Sequence, residues 1–157
     1  MFILGPGSCV LLVPGLDAQG GGAPPLAAQG QQTLAFGDLL GGLARRIPPT
    51  DPADSGQFRV RLFQTTAQVS FLLPAALQRA GGGELPLSFG PGDAIFTRTG
   101  GGAGSVVFDP TVGTVISGDS TPGWSWIYIG GTVLPPTSAR PGAYTGTIVL
   151  TLADLGN

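Results

Sequence analysis

The sequence predicts an all-β protein, an antiparallel β-sandwich of about seven to nine short strands, on three observations. The first is the last stretch, Pro141 to Leu152, which opens with a turn and then alternates. Tyr144, Ile148, Leu150 and Leu152 fall on one side, and Thr145, Thr147, Val149 and Thr151 on the other. Period-two alternation with β-branched residues describes a strand with one buried face. The second is that short apolar runs of the same kind recur along the chain, punctuated by Gly and Pro as turns are between strands. The third is a hydrophobic content of 42%, which sets aside the disorder that 28 Gly and 15 Pro would otherwise suggest. At 157 residues one domain is the default, long enough to bury a core.

Charge is sparse at 10%, with seven Arg, no Lys and a net charge of −2. No basic patch exists for neutralising phosphates, so nucleic acid is not an expected partner. A surface this poor in charge is covered by Thr, Ser, Gln and Gly, which suits an extracellular protein or an assembly whose surface becomes buried. Cys9 is the only cysteine, so no intrachain disulfide forms.

Residues 1–30 are an N-terminal segment ahead of a sandwich domain at 31–157. Met1 to Leu4 and Cys9 to Val13 are apolar, interrupted by Gly5-Pro6-Gly7 and ended by Pro14-Gly15. Neither run approaches the ~18 apolar residues of a spanning helix, so no transmembrane segment is expected. Three readings fit the segment. It is a remnant of a secretory signal without its positive n-region, a β-strand that pairs with the sandwich of its own or a neighbouring molecule, or a flexible tail. Val10 and Leu12 alternating with Leu11 and Val13 make the candidate donor strand. Pro6-Gly7-Ser8-Cys9 lacks the aliphatic residue of a lipobox. Cys9 reads as a buried or incidental thiol and not as a nucleophile, since the chain has no His to serve as its base. Gly20-Gly21-Gly22-Ala23-Pro24-Pro25 is a linker.

Gln31 to Asp38 reads as the first core strand, with Leu34 and Phe36 inward. A polar loop from Arg45 to Ser55 follows, in which Arg45 and Arg46 beside Asp51 and Asp54 make weak ion pairs. Gln57 to Pro74 is the clearest hairpin: Phe58, Val60 and Leu62 alternate with Arg59 and Arg61, and Val69, Phe71 and Leu73 alternate with Gln68, Ser70 and Leu72, with Thr65-Thr66 between. Arg59 and Arg61 point outward together, which offers a site for an acidic partner, but charges that keep an exposed sheet face from pairing wrongly are the preferred reading. Ala75 to Ala80 is expected as one helical turn. Leu85 to Phe89, Ala94 to Thr97, Ser105 to Phe108 and Thr114 to Ser117 are short strands joined by Gly-rich links.

Trp124, Trp126 and Tyr128 lie on one face if Trp124 to Gly131 is a strand. Such a row stacks sugar rings or bases, or fills a core or an interface. With no flanking Asp, Asn or His to orient a hydroxylated ligand, core or interface is the preferred reading and a glycan platform the alternative. Thr132 to Leu134 and Pro135-Pro136 then lead into the final strand.

The order of Leu34-Ala35-Phe36-Gly37, Gly56-Gln57-Phe58-Arg59-Val60, Val69-Ser70-Phe71-Leu72-Leu73-Pro74, Ile129-Gly130-Gly131-Thr132-Val133 and Pro141 to Ile148 resembles a family of bacterial secreted immunoglobulin-like domains of unknown function. That family is close to spore coat protein U and the subunits of archaic chaperone–usher pili, and the resemblance spans about residues 31–153. It implies an immunoglobulin-like Greek-key sandwich in which one strand is supplied by a neighbouring subunit. It also implies self-association or related subunits as partners, a periplasmic chaperone among them, and a secreted or cell-surface location. An open sheet edge with an apolar groove captures such a strand through backbone hydrogen bonds and alternate side chains. Pilin donor segments follow a cleaved signal, whereas the candidate here sits where a signal would be. Gly142, Tyr144 and Gly146 resemble a tyrosine-corner turn, in which the hydroxyl ties the turn to the backbone.

No chemistry is visible. The absence of His removes Ser-His-Asp, Cys-His and His-metal sites. Glu84 is the only Glu, and the eight Asp, scattered over the loops, suit caps and turns. Gly100 to Gly104 lacks the Lys-Ser/Thr ending of a phosphate loop, and Asp51, Asp54 and Asp119 fit no calcium-loop pattern. The expectation is a non-enzymatic structural protein with no catalytic residue, cofactor or metal. Its alternative is a monomeric secreted module binding a glycan on the aromatic row.

Overall fold

The computed structural model describes residues 3–12, 26–98, 104–118, 120 and 123–156. Fourteen strands and no helix are found among them: β1 (Ile3–Leu12), β2 (Leu26–Gln32), β3 (Leu34–Leu40), β4 (Arg45–Ile47), β5 (Gly56–Leu62), β6 (Thr66–Leu72), β7 (Ala76–Arg79), β8 (Glu84–Ser88), β9 (Ala94–Thr97), β10 (Val106–Phe108), β11 (Thr114–Ser117), β12 (Ser125–Ile129), β13 (Gly131–Val133) and β14 (Tyr144–Gly156). They form a β-sandwich. The five-stranded sheet runs β10-β9-β12-β5-β2. The nine-stranded sheet runs β11-β6-β14-β7-β8-β13-β4, with β1 against β14 and β3 against β1. The count exceeds the expected seven to nine because several strands, such as β4, β10 and β13, are only three residues long.

β14 alternates as its sequence requires. Tyr144, Ile148, Leu150 and Leu152 are buried, while Thr145, Thr147 and Thr151 face outward. These side chains meet Leu34 and Phe36 of β3, Phe58 and Val60 of β5, and Ile127 and Ile129 of β12 in one apolar core. A fully buried aliphatic or aromatic side chain contributes about 1.5–3 kcal/mol, so the core holds the two sheets face to face without a disulfide.

Two expectations are corrected. β5 and β6 are not a hairpin: β5 pairs with β12 and β2 in one sheet, and β6 with β14 and β11 in the other. The short link between them, where Gln64 takes a φ of 50°, carries the chain across the core. Phe58 and Phe71 then face each other from opposite sheets with ring centroids 5.9 Å apart. Both strands alternate as hairpin strands do, and alternation is blind to which sheet a strand joins. The stretch from Ala75 to Ala80 is not helical. Residues 76–79 form β7, paired with β14 and β8, and a tight turn at Gly81-Gly82-Gly83 follows. So short a helix has too few internal hydrogen bonds, whereas a strand in this slot is paired on both edges.

The chain changes sheet again at Gly130, between β12 and β13. A Cβ there would lie 2.1 Å from the Ile47 carbonyl oxygen, so only glycine permits the crossing. Close by, the carboxylate of Asp93 accepts a hydrogen bond from Arg46 Nη2 at 2.8 Å and one from the Gly90 amide at 2.9 Å. This clasp ties the entry of β9 in one sheet to β4 in the other.

Candidate functional site

Two regions carry the residues singled out in the sequence. The first is the position of β1. Residues Gly7 to Leu12 run parallel to Tyr144 to Val149 of β14, and the opposite edge of β1 runs antiparallel to β3, with Ser8 opposite Ala35 and Cys9 opposite Leu34. β1 is therefore an interior strand, and it alone joins β3 to the rest of the nine-stranded sheet. Its inner face is small: Gly7 and Cys9 are buried, Leu11 is packed against the core, and Val10 is exposed. A Cβ on Gly7 would lie 2.9 Å from Leu39 Cδ1 and 3.1 Å from Leu77 Cδ1, so the strand sits close over the core because it has no side chain there.

Val10, Leu11 and Leu12 of the candidate donor strand thus lie in a slot of their own molecule, opposite Thr147, Ile148 and Val149. Val13 lies outside the described residues. The sandwich also takes in β2, which begins at Leu26, so residues ahead of 31 contribute strands to both sheets. Burial pushes the Cys9 thiol up to about 12, which leaves it protonated and unreactive at neutral pH. At the foot of β14, buried Tyr144 donates its hydroxyl to the Arg140 carbonyl oxygen at 2.7 Å. That bond closes the turn that contains Gly142, whose φ of 141° places its Cα hydrogen against the Arg79 side chain.

The second region is the outer face of the five-stranded sheet. β12 turns Ile127 and Ile129 into the core, so Trp126 and Tyr128 point the other way and stay half-buried, as does Trp124 just ahead of the strand. Of the core-or-interface reading of this row, the core half is thereby corrected: the aliphatic positions of β12 fill the core. The Trp126 and Tyr128 rings are nearly parallel, at 21°, with centroids 6.4 Å apart. The Arg59 guanidinium lies 4.5 Å from the centre of the Trp124 ring and donates to Gln29 Oε1 from Nε at 2.8 Å. β5 is paired on both edges, so Arg59 and Arg61 project from the outer face of the sheet and not from its edge. They stand beside the aromatic row.

No protein-family model matches this sequence, and no curated protein matches it.

Among the described residues, no three His, Cys, Asp or Glu side chains come together to hold a metal ion. Asp51 Oδ1 accepts the Ala53 and Asp54 amides at 2.9 and 3.0 Å, as a turn cap does. Asp54 reaches Arg45 at 3.6 Å, and Asp119 lies outside the described residues. Sequence reasoning missed a cleft of about 560 Å³ at the end of the aromatic row. Pro49, Pro52, Gln57, Ile95, Val107 and Tyr128 are among its walls. These residues come from a loop and four strands, and no local signal links them.

Proposed function

We propose that the protein is a non-enzymatic structural subunit of a secreted or cell-surface assembly, joined to its neighbours by β-strand pairing or exchange. The observation that carries this reading is the placement of β1. An N-terminal strand fills an interior slot between β14 and β3, and residues 13–25 tether it to β2. A tether of that length reaches at most about 45 Å, enough for the strand to leave its own slot and enter the same slot of an adjacent copy. Such an exchange keeps every backbone hydrogen bond and turns one chain into a link of a polymer. The resemblance to pilin and coat subunits supports the reading, as do the sparse charge and the absence of His, which leave a surface suited to burial. Cys9, the one nucleophilic thiol, is consumed as core.

Native gels of the full chain, purified from secreting cells and run before and after heating over a range of concentrations, test the proposal. A ladder of oligomers that collapses on heating is the expected result. A single monomer band at every concentration sinks strand exchange and leaves a self-contained sandwich.

A further inference from the structure

The outer face of the five-stranded sheet has a composition unlike the rest of this charge-poor surface. Across its strands the outward positions are Ala27 and Gln29 on β2, Gln57, Arg59 and Arg61 on β5, Trp126 and Tyr128 on β12, Ile95 and Thr97 on β9, and Val107 on β10. None of these is a carboxylate. Two cations stand two residues apart on one strand in a protein of net charge −2. Arg59 is satisfied by a neutral amide and an aromatic ring, and Arg61 Nε is buried without a hydrogen-bond partner. The aromatic row runs alongside them and ends in the cleft walled by Tyr128, Gln57 and Ile95.

We infer that this face binds an acidic polysaccharide whose sugar rings carry carboxylates, a polyuronate. Sugar rings present flat C–H faces that stack on Trp126 and Tyr128. Ring carboxylates match the planar forks of Arg59 and Arg61, which hold a carboxylate through two parallel hydrogen bonds. Gln29 and Gln57 supply amides for the hydroxyls, and the cleft takes the end or a branch of the chain. Charge complementarity selects the occupant. A neutral glycan would leave two guanidinium groups desolvated without compensation. A densely sulfated chain would meet only two cations and the repulsion of a net-negative protein. This inference does not depend on strand exchange, because β1 lies in the other sheet.

The test is a titration of the full chain with oligogalacturonate, followed by tryptophan fluorescence and calorimetry at low and high salt. Fully methyl-esterified oligogalacturonate and dextran sulfate serve as comparison probes. The expected result is a change in tryptophan emission on binding, with affinity falling at least tenfold on methyl esterification and with Arg61→Gln, and lost with Trp126→Ala. Arg140→Gln makes the same charge change at an exposed site outside this face and should leave affinity within twofold. Thermal melts confirm that each variant is folded. If Trp126→Ala fails to fold, Arg61→Gln and the esterified probe decide. No binding of oligogalacturonate, equal binding of the esterified form, tighter binding of dextran sulfate, or an equal loss with Arg140→Gln would each overturn the inference.

Discussion

β1 and β12 are both interior strands, each paired on both edges, yet they are held by different means. β12 is locked by side chains: Ile127 and Ile129 are fully buried in the core, and Trp126 and Tyr128 cover the other face. β1 is held mainly by its two backbone ladders, with Gly7 and Cys9 as its innermost residues and Val10 turned out to solvent. Backbone ladders are satisfied equally well by any strand of the right register, whereas buried side chains demand one partner surface. The difference teaches which strand can be exchanged. β1 has the pairing of a structural strand and the side-chain burial of a guest.

The sharpest way to break this comparison is to remove volume from β12. Ile127→Ala should destabilise the fold by about 2–5 kcal/mol, the usual cost of truncating a fully buried aliphatic side chain, read as a lower urea midpoint with an unchanged slope. A loss below about 1 kcal/mol would mean that β12 is no more locked than β1.

A smaller effect is expected from overfilling the β1 slot. Gly7→Val places methyl groups against Leu39 and Leu77, and forcing volume into a packed core costs about 1–3 kcal/mol. Hydrogen exchange should show this loss confined to the amides of β1 and β3, while those of β12 keep their protection. Uniform acceleration across both sheets would show that β1 is as tightly coupled to the core as β12.

The smallest effect sharpens the comparison through pH. The Cys9 thiol has its folded pKa raised by burial to about 12 from an ordinary value of 9.0. The folded state therefore holds the proton that the unfolded state gives up. This contribution is fully present below pH 9 and is lost as pH rises from 9 toward 12. Midway through that window each pH unit removes about 1.4 kcal/mol. Wild type should lose nearly that much more stability than Cys9→Ala between pH 10 and 11, a difference that isolates the thiol from tyrosine ionisation. Parallel pH profiles would show that β1 opens to solvent without global unfolding.

Much of the fold was legible because alternation is local. Tyr144 to Leu152, Phe58 to Leu62 and Ala67 to Phe71 each declare a strand and an inward face from the residues themselves, since a strand's side chains must alternate. Cys9 was legible only as a thiol without a base; that it is buried and not incidental comes from the structure. The break at Gly130 was not legible: the sequence runs it on as part of the Trp124 to Gly131 strand, and its reason, the Ile47 carbonyl against it, lies far away in the chain.

Only the tertiary structure decided which strands meet. Sheet pairing is made by backbone groups that are the same in every residue, so no side-chain pattern announces that β5 and β6 separate into opposite sheets or that β7 completes a sheet instead of a helical turn. Nor does any pattern announce that β1 runs parallel to β14. The outer-face site follows from those pairings: Arg59 reaches Trp124 and Gln29 only because β5 lies between β12 and β2, and Asp93 meets Arg46 only where the chain crosses from one sheet to the other. Sequence determined the faces of the strands, because alternation is written in neighbouring residues; tertiary structure determined their partners, because hydrogen-bond ladders join residues far apart in the chain.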